Sequence, residues 1–148
     1  MNHSNHILND LVSATRDGKS FYELAQTKVN SPELKALFSR IAKVKGEIVL
    51  GLSHEISAAG DKPAETGTWA GDFNKLYTEV KALLGDKNQA FVAQLEDSED
   101  RLMKAFEKAL TDEKTSKSTH AIITAFMPEV RACHDMMRAQ RIALKKAA

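Results

Sequence analysis

Five residues of this chain have the chemistry to hold a cation or pass a proton: Tyr22, Glu96, Glu99 and His134 fall where helical segments would turn them inward, and Asp17 flanks the inward stripe beside Gly18. Carboxylate oxygens and a neutral imidazole nitrogen are ligand types that suit zinc, iron or manganese. The functional reading is therefore a metal site. The structural reading of the same residues is an ion-pair layer, because Arg40, Lys45 and Arg131 fall near the same level of a helical arrangement. A buried carboxylate left without a cation costs on the order of several kcal/mol. Tyr22 and His134 would then be hydrogen-bonding members of that layer. Buried ionisable groups mark function only statistically, and both readings predict one polar layer.

Other reactive residues give weaker patterns. His6, His54 and His120 fall toward the opposite level, with Glu47 one heptad before His54. Three histidines could hold zinc, although histidines at helix ends are usually solvated. His3 belongs to a terminus expected to fray. Cys133 precedes His134, and adjacent helical positions point about 100° apart, so the two do not form a nucleophile and base; Cys133 is expected to be packing. Phosphotransfer bundles present a histidine followed by a basic residue and glycine, whereas His54 is followed by Glu55 and His134 by Asp135. No glycine-rich phosphate loop, nucleophile elbow or cysteine pair is present.

The elements that must position these residues are four long helical patterns. The first runs from about Ser4 to Lys28, with Ile7, Leu11, Ala14, Gly18, Tyr22, Ala25 and Val29 three or four residues apart. The second opens at Ser31-Pro32-Glu33, which supplies a capping hydroxyl, a proline at the first helical position and an acid in the positive first turn. Its stripe is Leu34, Leu37, Phe38, Ile41, Val44, Ile48, Leu52 and Ile56, and Gly60 stops it. Asp86 with Gln89 resembles a capping box and starts a third helix marked by Phe91, Leu95, Leu102, Phe106 and Leu110. After a polar turn near Thr111 to Lys117, the fourth carries Ile123, Met127, Val130, His134, Met137 and Leu144 to about Lys145. Pro128 lies inside it, where it removes a backbone hydrogen bond and predicts a kink.

Between Gly60 and Gly85 the texture changes. Pro63, Gly67 and Gly71 mark a loop, followed by a shorter amphipathic piece at Phe73, Leu76, Val80, Leu83 and Leu84. Trp69 in this connector is expected to lid the bundle. Short turns make antiparallel neighbours of helices one and two and of three and four. A connector with its own helix can travel the length of a 25-residue helix, about 35–40 Å. The layout is thus an all-α four-helix bundle with one long crossover, containing a short helix, between helices two and three; the alternative is an up-down-up-down bundle with a decorated loop. In the crossover layout the five polar residues lie within roughly two turns of one level.

Several strings resemble a bacterial family of uncharacterised ferritin-like four-helix proteins, a domain-of-unknown-function family. They are Leu8-Asn9-Asp10-Leu11, Asp17-Gly18 with Tyr22, Ser31 to Phe38, Glu99-Asp100 and His134-Asp135. The resemblance spans nearly the whole chain and implies the ferritin-like fold; it carries no established reaction. Ferritin-like di-iron proteins use one glutamate from each of two helices and a Glu-x-x-His pair from each of the others. Here the residues three before His6, His54, His120 and His134 are His3, Gly51, Lys117 and Arg131. The standard di-iron pattern is absent, which leaves glutamate-only or single-metal variants.

Composition fits this reading. A chain of 148 residues suits one domain, residues 1–148, and can bury roughly two-thirds of its unfolded surface. Three prolines, seven glycines and 6% aromatics favour helices. A net charge of +1 argues against nucleic-acid partners. One cysteine rules out an intrachain disulfide, the N-terminal residues lack the apolar stretch of a secretory signal, and the 48–52 apolar run is far too short to span a membrane. The expectation is a cytoplasmic, unprocessed protein. Its expected role is non-catalytic, through self-association or a protein partner, with a stress-related setting as the resemblance's contribution. The alternative is a metal-binding protein that handles iron or acts as an oxidoreductase through the carboxylate and histidine layer.

Overall fold

The structure, a computed structural model, describes residues 2–65, 75, 78–82 and 87–147. Four long helices carry it: α1 (His3–Lys28), α2 (Pro32–Ala58), α3 (Lys87–Leu110) and α4 (Lys117–Ala147). No strand occurs among the described residues. The expected signals act at the boundaries. Asn2 caps α1 by accepting from the Asn5 N–H, and Ser31 caps α2 by accepting from the Leu34 N–H, with Pro32 in the first turn. Gly60 adopts φ +84°, the left-handed conformation that ends α2. Ser116 accepts from the Thr119 N–H at the start of α4. Asp86, Trp69, Phe73, Leu76, Leu83 and Leu84 lie outside the described residues.

Contacts at the two ends fix the direction of every helix. At one end Asn30, in the turn from α1 to α2, exchanges hydrogen bonds with Asn88 at the start of α3: 3.1 Å from its backbone N–H and 2.6 Å between the side chains. At the other end Ser4 accepts from the Ser116 N–H at 2.8 Å, and His3 meets Asp112 at 2.7 Å, which joins the start of α1 to the turn between α3 and α4. Asp61, just past α2, reaches this second end by accepting from Asn5. Hence α2 finishes at the end opposite to the one where α3 starts. Each helix packs against antiparallel neighbours, α1 between α2 and α3, and α4 between α3 and α2.

Burial follows the stripes on α2, α3 and α4. Leu34, Phe38, Ile41, Ile48, Leu52 and Ile56 are buried, as are Phe91, Leu95, Leu102 and Phe106, and Ile123, Met127, Val130, His134 and Met137. α1 departs from its single stripe: Leu8, Val12, Ser13, Thr15 and Phe21 are buried too. The cause is a strap of chain after α2. Asn9 accepts from the Ala64 N–H at 2.7 Å and donates to the Lys62 carbonyl at 3.3 Å, and Arg16 Nε donates to the Ala64 carbonyl at 2.9 Å. Further along, residues 78–82 are helical and Val80 enters the core beside Phe21 and Phe91. α1 is therefore covered on a side that an amphipathic surface helix would leave to water.

The apolar core forms two clusters, one around Phe21, Phe38, Phe91 and Met137 and the other around Leu8, Ile48, Phe106 and Val130. α2 and α4 meet at Gly51, where a Cβ would overlap the Phe126 ring. Gly18 is different, since a Cβ there would sit 3.7 Å from Lys45 Cε, an ordinary contact. The two glycines should separate in urea denaturation. Gly51→Ala overpacks the seam and is expected to cost about 1–3 kcal/mol, whereas Gly18→Ala should be neutral or stabilise by up to about 1 kcal/mol from helix propensity.

Candidate functional site

Between the two apolar clusters lies a polar layer built by three helices. Lys45 on α2 and Glu99 on α3 are 0% and 1% exposed. The lysine stem passes beside Gly18 on α1, and the ammonium reaches both carboxylate oxygens, 2.6 Å from Oε1 and 2.9 Å from Oε2. Tyr22 on α1 donates its hydroxyl to Glu99 Oε1 at 2.8 Å. Its ring packs edge-on against Phe38, centroids 5.7 Å apart, with Lys45 Nζ 6.0 Å from the ring centre. Burial, followed by the Glu99 charge, pushes the Tyr22 hydroxyl well above its ordinary pKa, so it remains a donor. Cys133 on α4 is buried in the field of this pair, and burial pushes its thiol up to about 11.

Of the five residues singled out by sequence, Tyr22 and Glu99 meet directly. Glu96 turns outward to the seam between α3 and α4, where Arg141 Nη1 lies 2.8 Å from its carboxylate and 3.1 Å from Asp97. Hydrogen bonding to Glu96 raises the Arg141 pKa further. His134 is buried in that same seam, with Nε2 3.5 Å from Asp100 and Nδ1 3.2 Å from Asp135. Asp100 also takes Lys104 at 2.9 Å, and the Lys104 hydrogen bond, ahead of His134, holds its carboxyl below the usual range. Asp17 is buried on α1 and is engaged by a partner. Among the three cations considered for pairing, Lys45 fills the role; Arg40 is exposed and donates to Met136 Sδ, and Arg131 is exposed.

Among the described residues no three His, Cys, Asp or Glu side chains converge as a group able to hold a metal. The second histidine grouping is exposed at His6, His54 and His120. His3, expected to fray, is instead tied to Asp112, and that hydrogen bond holds the Asp112 carboxyl below its ordinary range. No helix among the described residues is long and apolar enough to cross a membrane.

A family model described as "Domain of unknown function (DUF2383)" matches residues 4–112. The chain belongs to this family. No curated protein matches it significantly. The DUF2383 match covers α1, α2 and α3, and with them Tyr22, Lys45 and Glu99. It ends before α4, so His134-Asp135 and the rest of that helix lie beyond it. Within the DUF2383 region, Asn9 holds the strap, and Tyr22 and Glu99 bind each other. Each quoted string from α1 thus includes a residue with a structural task in the bundle.

Two measurements probe the layer. Lys45→Met leaves Glu99 buried without its cation and should cost about 3–5 kcal/mol in urea unfolding, while Lys45→Met with Glu99→Leu should recover the part owed to the stranded charge and keep a smaller cost of about 1–3 kcal/mol for the Tyr22 hydroxyl that loses its acceptor. A double variant as unstable as the single one would contradict this account. For Cys133, an exposed thiol titrates near 8.5 and the folded one at about 11. The stability it contributes is complete below roughly pH 8.5 and is lost as pH rises through about 11. Native protein at neutral pH should therefore resist iodoacetamide, and urea-unfolded protein should label at once; fast native labelling would refute the assignment.

Proposed function

We propose that this protein is a non-catalytic bundle of ferritin-like arrangement that works by self-association or by binding a protein partner. The observation that carries this reading is the Lys45–Glu99 pair. In metal-holding bundles of this kind, inward carboxylates from facing helices share their charge with bound cations. Here the inward carboxylate of α3 already has a covalently tethered cation on both oxygens and a phenol on one of them. A metal entering at Glu99 would have to displace a fully buried ammonium and leave that charge unpaired. The antiparallel neighbours, and the passage of the chain from the end of α2 to the opposite end for α3, support the ferritin-like arrangement with one crossover. A stress-related setting rests on the family resemblance alone.

The alternative, an iron, manganese or zinc site that draws on Glu96, Glu99, His134, Asp17 and Tyr22, has one observation in its favour: Glu96 and His134 face the same groove. Its carboxylates there are engaged by Arg141 and Lys104. Metal analysis separates the two readings. Untagged protein, purified without chelators and incubated anaerobically with iron, manganese or zinc, should retain far less than one equivalent by mass spectrometry. Near-stoichiometric metal that is lost in both Glu99→Ala and His134→Ala would overturn the proposal.

A further inference from the structure

Among the described residues, two large apolar side chains are exposed, Leu50 and Ile142. Their surroundings differ. Ile142, 46% exposed, lines a groove of about 480 Å³ between α3 and α4, and it is flanked on the same helix by Arg138, four residues before, and Lys145, three residues after. Both of these cations line the groove. The other charged groups there are engaged: Arg141 is shared by Glu96 and Asp97, while Asp100 is held by Lys104 and by His134. Arg138 and Lys145 have no hydrogen bond or ion pair among the described residues. Lys145, in the last turn, also complements the carbonyl end of α4. Arg138 lies more than two turns inside the helix, where that reason does not apply.

We propose that this groove docks an acidic amphipathic helix of a partner protein, an inference that builds on the partner-binding reading above. The spacing specifies the occupant. Seven residues separate Arg138 from Lys145, about 10 Å along the helix axis. A partner helix matches that distance with carboxylates at positions i and i+7, and an apolar side chain three or four residues from each then falls on Ile142. The two unpaired cations select for acids and against bases. Arg138, Ile142 and Lys145 lie on α4, beyond the residues that the family model matches, while Glu96 and Asp100 on the α3 wall lie within them.

A display library of random twenty-residue peptides, selected on the immobilised full-length chain, tests the idea. Enriched sequences should carry acids seven residues apart around an apolar residue. One such peptide, synthesised, should lose about tenfold or more in affinity with Arg138→Glu/Lys145→Glu, and lose affinity also with Arg138→Gln/Lys145→Gln and with Ile142→Ser. Circular dichroism of each variant establishes that it is folded. Selection of no peptide, or of peptides without acids, would overturn the proposal. So would equal binding to all variants, or capture of phosphatidylserine vesicles or duplex DNA by the same cations in place of peptide. Metal found at Glu99 would refute the non-catalytic reading and leave the peptide result standing, so the two failures are distinguishable.

Discussion

Lys45 and Glu99 sit face to face with neither side chain reaching water, and the middle of the bundle is arranged around their needs. Taking an ammonium and a carboxylate out of water costs several kcal/mol per ion, on the order of the whole stability of a small domain. That cost is offset only if both carboxylate oxygens and the ammonium are satisfied. Each helix around the pair contributes to this. α1 supplies the Tyr22 hydroxyl, α2 supplies the cation, and α3 the anion. Apolar stripes alone would let amphipathic helices slide by a turn at modest loss. Sliding α2 against α3 by about 5.4 Å would leave a buried charge without a partner, so the layer penalises wrong registers far more steeply than the apolar clusters above and below it.

This constraint was partly legible in the amino-acid pattern. Counting helical rise from the turns brought Tyr22, Glu99 and Lys45 to one level, and the structure joins them. The same count brought in Glu96 and His134, which instead engage Arg141 and Asp100 at the seam of α3 and α4. Rise gives height along the bundle and not direction around it. Glu96 and Glu99 are three residues apart and point roughly 60° from each other, enough to send one carboxylate inward and the other to the edge. The stripes on α2, α3 and α4 were readable because each of these helices presents one apolar face. α1 was not, because its outer residues are covered by chain held through Asn5, Asn9 and Arg16. Those bonds run from polar side chains to another segment, two of the acceptors being backbone carbonyls, and no periodicity announces them.

The burial of α1 also determines where the molecule can meet something else. Flanked by α2 and α3 and overlaid by the strap after α2, α1 has little surface to offer. α4 is the opposite case: beyond its core stripe it carries Arg131, Arg138, Arg141, Lys145 and Lys146 against Asp135 alone over its second half. α3 faces it with Glu96, Asp97 and Asp100, and part of the positive excess is consumed at that seam by Arg141. Of the cations that remain, Arg138 and Lys145 line the groove on either side of Ile142, while Arg131 and Lys146 lie outside it.

The bundle thus uses cations in two settings with opposite thermodynamics. Lys45 is dehydrated, and its value lies in the cost of removing it; nothing from solution can compete for Glu99 without stranding the ammonium. Arg138 and Lys145 remain hydrated and carry no internal obligation, so pairing them with a partner costs little reorganisation and responds to ionic strength over a Debye length of about 8–10 Å. The first kind of cation fixes the register of the interior, and the second leaves charge at the surface that is free to exchange partners.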